Sequence, residues 1–115
     1  MAITEISTGS RVTSATEWSL PRAASYSSAS PQTSDGVYQL FVDTTNLTAS
    51  DEVRIRIYEK VRAADAQEVV YTSNVVGLQT AVWVSPSLIL MNGWDMTVLA
   101  VSGTATVTWS IRQVG

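Results

Sequence analysis

Apolar and polar residues alternate with a period of two from Asp51 to Arg62. Val53, Ile55, Ile57 and Val61 fall on one face, and Arg54, Arg56, Tyr58, Lys60 and Arg62 on the other, because successive strand side chains point to opposite sides. The pattern predicts a strand whose apolar face builds core and whose basic face meets water or a partner. Other segments follow the same rule. Arg11 to Leu20 alternates until Pro21, and Val37 to Asp43 is apolar on both faces, as a central strand should be. Glu68 to Val76 is rich in β-branched residues, and Ala105, Val107, Trp109 and Ile111 alternate with Thr104, Thr106, Thr108 and Ser110.

Turn signals punctuate these runs. Asp35-Gly36 precedes the central strand, Asn92-Gly93 leads into Trp94 to Val101, and Ser102-Gly103 separates the last two runs. The simplest pairings are hairpins: 37–43 with 51–62, 51–62 with 68–76, and 94–101 with 105–111. Leu47, within the 44–50 connection, reads as a plug on the core. Residues 1 to 10 read as a flexible N-terminal arm or a short edge strand, and 22 to 34, rich in Ser and Ala, as a long loop. No segment carries a sustained 3.6-residue stripe. About eight short strands then imply a single all-β domain over 11–115, a two-sheet antiparallel sandwich that is jelly-roll-like.

Composition narrows the chemistry. The 115 residues contain neither Cys nor His, which removes disulfides, thiol catalysis and the commonest general base and metal ligand. Seven basic against ten acidic residues give a formal charge of -3, the wrong overall sign for a nucleic-acid partner. The amino terminus lacks a basic region followed by an apolar one, and no apolar run approaches the ~20 residues needed to span a bilayer. No membrane partner is expected. Asn46-Leu47-Thr48 matches a glycosylation sequon and reads as a turn.

Few residues remain for chemistry. Asp51 and Glu52 are adjacent acids, but neighbouring strand residues point to opposite faces, so they read as a solvated strand entrance rather than a hydrolase pair. Asp43, Asp51 and Asp95 lack any calcium-loop spacing, and no cofactor is expected. Arg54, Arg56, Lys60 and Arg62, with Tyr58 among them, place four of the seven positive charges on one strand face. Such a ladder either pairs with cross-strand acids such as Glu68 or docks on an acidic protein surface, for which Arg offers a bidentate fork. Of the four Trp residues, Trp18, Trp83 and Trp109 fit core positions. Trp94, after its turn, is the one candidate for stacking on a sugar.

The run Asp35-Gly36-Val37-Tyr38-Gln39-Leu40-Phe41-Val42-Asp43, the strand 51–60 and Pro86 to Asp95 are together similar to small all-β decoration or cement proteins of tailed-bacteriophage capsids. The resemblance spans roughly 35–112. It implies a non-enzymatic virion protein, made in the host cytoplasm, that sits on the outside of the head and bridges major capsid subunits as a dimer or trimer. The basic ladder would then be the docking face, with 1–10 and 22–34 as reaching segments. A carbohydrate- or receptor-binding module of a phage tail, using Trp94, is the alternative expectation.

Overall fold

A computed structural model describes residues 2–114. It contains ten strands: β1 (Ile3–Val12), β2 (Trp18–Ser19), β3 (Ala24–Ser25), β4 (Gly36–Asp43), β5 (Glu52–Lys60), β6 (Gln67–Val76), β7 (Trp83–Val84), β8 (Leu88–Leu90), β9 (Asp95–Ser102) and β10 (Thr106–Val114). They form two antiparallel five-stranded sheets. Sheet A runs β1-β10-β4, with β7 and β8 both on the far side of β4; sheet B runs β3-β2-β9-β5-β6. No described residue is helical.

The order is that of a jelly roll. β7 and β8 act as one strand interrupted at Pro86, where Ser85 patches the gap: its N–H donates to the Leu40 carbonyl at 2.9 Å, and its hydroxyl accepts from the Leu40 N–H at 2.9 Å. With that pair counted once and the two-residue edge strand β3 set aside, the first strand pairs with the last, β2 with β9, β4 with β7 and β8, and β5 with β6. β10 and β4 join one sheet, and β9 and β5 the other. The core lies between: Leu40, Val42, Val107 and Ile111 from sheet A meet Val53, Ile55, Ile57, Met96 and Val98 from sheet B. Burying each such side chain stabilises by roughly 1.5–3 kcal/mol, which is what holds the two sheets together.

Several expected pairings are corrected by this topology. Only 51–62 with 68–76 is a hairpin, as β5 and β6. β4 and β5 lie in different sheets, as do β9 and β10. A turn signal marks where the chain reverses without saying whether it returns within its sheet or crosses to the other. Gly103 makes one such crossing with φ +67°, and a Cβ there would fall 2.0 Å from Asp51 Oδ1. Leu47 does plug the 44–51 crossing and is buried. Asp51, expected at a solvated entrance, is also buried, because its Oδ2 accepts the Thr48 N–H at 2.8 Å and hydroxyl at 3.0 Å.

Of the two readings of the amino-terminal segment, the edge strand holds. From Ile3 onward it is β1, paired with β10 along its length apart from a bulge near Ile6, rather than a free arm; Met1 lies outside the described residues. Its side chains are mostly exposed, but its backbone completes the ladder of β10.

Candidate functional site

β5 has the predicted parity. Val53, Ile55 and Ile57 are buried in the core, and Arg54, Arg56 and Tyr58 point away from it. That outward face nevertheless does not meet water as a ladder, because Glu17 and Tyr26, which flank the β2–β3 edge hairpin, reach across it. Tyr26 stacks on Tyr58 with ring centroids 4.6 Å apart, and its hydroxyl donates to Gln67 Oε1 at 2.6 Å. Glu17 gathers the rest: its Oε2 accepts the Tyr58 hydroxyl at 2.6 Å and the Thr97 hydroxyl at 2.5 Å, with Arg54 at 3.8 Å. Burial raises the Tyr58 hydroxyl above its ordinary value, the bond to Glu17 adds to this, and Arg56 partly offsets it. Tyr26 is pushed up to about 12 by burial and by neighbouring Tyr58 and Glu17.

Asp95 belongs to the same roofed layer. It is fully buried, its Oδ1 accepts the Ser19 hydroxyl at 2.7 Å and the Met96 N–H at 2.9 Å, and its Oδ2 has no partner. Burial holds its carboxyl above the usual range, a shift that Ser19, Met96 and Arg22 moderate and Glu17 adds to. The layer is a polar network centred on Glu17.

The ladder ends differently. β5 stops at Lys60, so Val61, expected in the core, is 74% exposed, and Glu59 occupies the last inward position. The buried Glu59 carboxylate accepts the backbone N–H groups of Met91 at 2.6 Å and Gly93 at 3.0 Å, with Asn92 at 3.3 Å. Asn92 in turn donates to the Val61 carbonyl at 3.2 Å. Lys60 lies over Gly93, whose φ of +146° and lack of a Cβ permit the approach. These bonds tie turns 61–66 and 91–93 into one rigid tip that presents Val61, Met91 and Arg62. Arg62 is paired with Asp65 at 2.9 Å, yet its side chain is 79% exposed. Of the five ladder residues, then, Arg54, Arg56 and Tyr58 lie in the roofed network, while Lys60 and Arg62 belong to the tip.

Trp94 is corrected as a sugar-stacking candidate. It is 1% exposed, tilted against Tyr38 at 4.5 Å, and its indole N–H donates to the Ser34 carbonyl at 2.9 Å. Its backbone also bridges Gln32. The signal was present in the sequence: Trp94, Met96, Val98 and Ala100 share one period-two face, which is the buried one. Trp109 is buried and Trp18 and Trp83 are partly buried against the core, as their patterns suggested.

The outer face of sheet A is the surface the sequence reading missed. Its rows follow from the register: Ile3, Val114, Val37 and Ile89 across one end; Glu5, Arg112 and Gln39; then Thr8, Ser110, Phe41 and Val84; then Ser10, Thr108 and Asp43. Nothing in the described chain roofs it. Ile3 is 68% and Ile89 77% exposed. A groove of about 360 Å³ lies beside Phe41, Val82, Val84 and Arg112, the guanidinium stacking on Phe41 at 3.8 Å.

No protein-family model matches the sequence, and no curated protein matches it. A solved structure from work titled "Bacillus endospore appendages form a novel family of disulfide-linked pili" is similar over 98% of this chain and 87% of its own, with a TM-score of 0.53 and 15% identity. At that identity the likeness shows a shared β-sandwich fold.

Proposed function

We propose that this chain is a non-enzymatic structural protein of a tailed-phage virion that docks on the outside of the head and bridges major capsid subunits. The observation that carries the reading beyond resemblance is the tip. Two turns pinned by a buried carboxylate expose Val61, Met91 and Arg62 in fixed positions where they contribute nothing to the core. A surface held rigid before contact loses little entropy on docking, and an exposed apolar pair beside a cation suits an acidic-rimmed protein surface better than nucleic acid or a membrane.

The test is co-sedimentation of the purified protein with capsid shells stripped of accessory proteins, across a salt series. Saturable binding at a fixed ratio to the major capsid protein is expected, weakened at least ten-fold by Val61→Glu and less by Arg62→Ser, with the Arg62 effect shrinking as salt rises. A competent shell that sediments without the protein would overturn the reading.

A second reading, a subunit that assembles on itself into a fibre, is favoured by the similarity to a pilus structure. This chain has no cysteine, so such an assembly would have to hold without disulfides. Negative-stain images of the concentrated protein decide it: filaments support it, and discrete particles of one or two subunits reject it.

A further inference from the structure

We propose that the bare outer face of sheet A is a dimerisation surface, packed face to face against a second copy of this chain about a two-fold axis that runs along the strands between β10 and β4. The row pattern selects this occupant and this axis. Such an axis exchanges β10 with β4 and β1 with β7 and β8 while keeping each row on its own level. The row Ile3, Val114, Val37 and Ile89 then lies on Ile89, Val37, Val114 and Ile3 of the other copy, apolar on apolar across four strands. Thr8 and Ser110 meet Val84 and Phe41.

Charge fits the same axis. Arg112 comes opposite Gln39 and Asp43 opposite Thr108, so no charge on either strand meets its own sign. An interface of this kind is isologous, which requires a self-complementary surface, and this face meets that in its apolar end row and in the placement of its charges. Sheet B offers a poorer match, since Glu17 and Tyr26 already occupy the centre of its outer face.

The area sets the strength. Four strands ~4.8 Å apart and eight or nine residues long at ~3.3 Å each give a face of roughly 500–570 Å², well below the ~800 Å² per partner of a standard interface. The dimer is therefore expected to be weak, in the micromolar range, and concentration-dependent. Its geometry has a consequence for docking. An axis parallel to the strands leaves the same end of both copies pointing the same way, so the two tips face one side together. This last point rests on the docking reading above, and the dimer does not.

Sedimentation velocity of the purified chain over a micromolar to millimolar series tests the proposal. The expected result is a monomer–dimer equilibrium whose dissociation constant rises at least ten-fold in Ile89→Glu and in Ile3→Glu, both exposed enough to leave the fold intact by circular dichroism, and stays within two-fold in Val61→Glu. A monomer throughout the series, or a dimer indifferent to both row variants, overturns it. The two proposals separate cleanly: Val61→Glu attacks shell binding without the dimer, and a dimer that forms while shells are not bound leaves this inference standing and removes the docking one.

Discussion

The two outer faces of this sandwich carry patterns that mislead in opposite directions. Sheet B presents Arg54, Arg56 and Tyr58, a sequence any reader would place in water, and the protein covers it with Glu17, Tyr26 and the segment around them. Sheet A presents alternating Thr and Ser with a few apolar residues, an ordinary solvent face by pattern, and it is left bare with Ile89 and Ile3 projecting. Period two tells which side of a strand faces the core. It does not tell whether the other side is roofed, because that depends on where a loop distant in sequence comes to rest. A buried polar layer must then satisfy most of its groups itself: the Tyr58 and Thr97 hydroxyls bond to Glu17, while Asp95 Oδ2 and the Nε of Arg54 and Arg56 are left without partners.

The difference makes the faces unequal in response to substitution. The largest effect is expected at the network's centre. Glu17→Ala strips the acceptor from two hydroxyls and leaves Arg54 without its acid, so urea unfolding should report a loss of roughly 2–4 kcal/mol. Tyr26→Ala should follow at about 1–2 kcal/mol, with faster proteolysis within 22–34, because the stack and the bond to Gln67 fix that segment. On the bare face, Thr108→Lys should change stability by less than about 0.5 kcal/mol, since the residue is exposed. A comparable loss there would mean the two faces are not distinct in kind.

The roofed layer also predicts a pH dependence. Asp95 has a folded pKa above its unfolded value, so the fold binds its proton more tightly than the unfolded chain does. Its contribution to stability is therefore full below the ordinary carboxylate range, roughly pH 4, and is lost as pH rises through the folded value. Asp95→Asn should raise the melting temperature at pH 7, by an amount that shrinks on acidification, because the amide oxygen keeps the Ser19 and Met96 bonds while the charge is gone. At the alkaline end, Tyr26, held up to about 12, should make stability fall from roughly pH 10 upward as unfolded tyrosines ionise first. A small gain is expected at Ala23, a non-glycine residue at φ 51° in the β2–β3 turn; Ala23→Gly relieves that strain, stabilising by less than about 1 kcal/mol.

Much of the fold was legible in the chain. Most of the strands, the two-sheet sandwich and the Leu47 plug follow from alternation and turn residues, which are local signals, whereas the strand order does not. Sheet membership was not legible for β4 and β5 or for β9 and β10, since Ser102-Gly103 looks the same whether it closes a hairpin or carries the chain over the core edge. The candidate site was legible only in part. Lys60 and Arg62 were marked by charge, while Val61 was assigned inward because nothing in the sequence shows that Glu59 ends the strand by capping residues 91–93. The row of Ile3, Val114, Val37 and Ile89 draws on four segments distant in sequence, so no window along the chain contains it.

Covalent footprinting with a photogenerated carbene, on the free protein kept dilute enough to remain monomeric, reads both outer faces in one experiment. Heavy labelling of Ile3, Val84 and Ile89 with little at Tyr58, Asp95 and Thr97 is the predicted result. Labelling of Tyr58 and Thr97 at the level of Ile89 would contradict it, for then Glu17 and Tyr26 do not cover the face in solution and the Arg54 and Arg56 side is a surface after all.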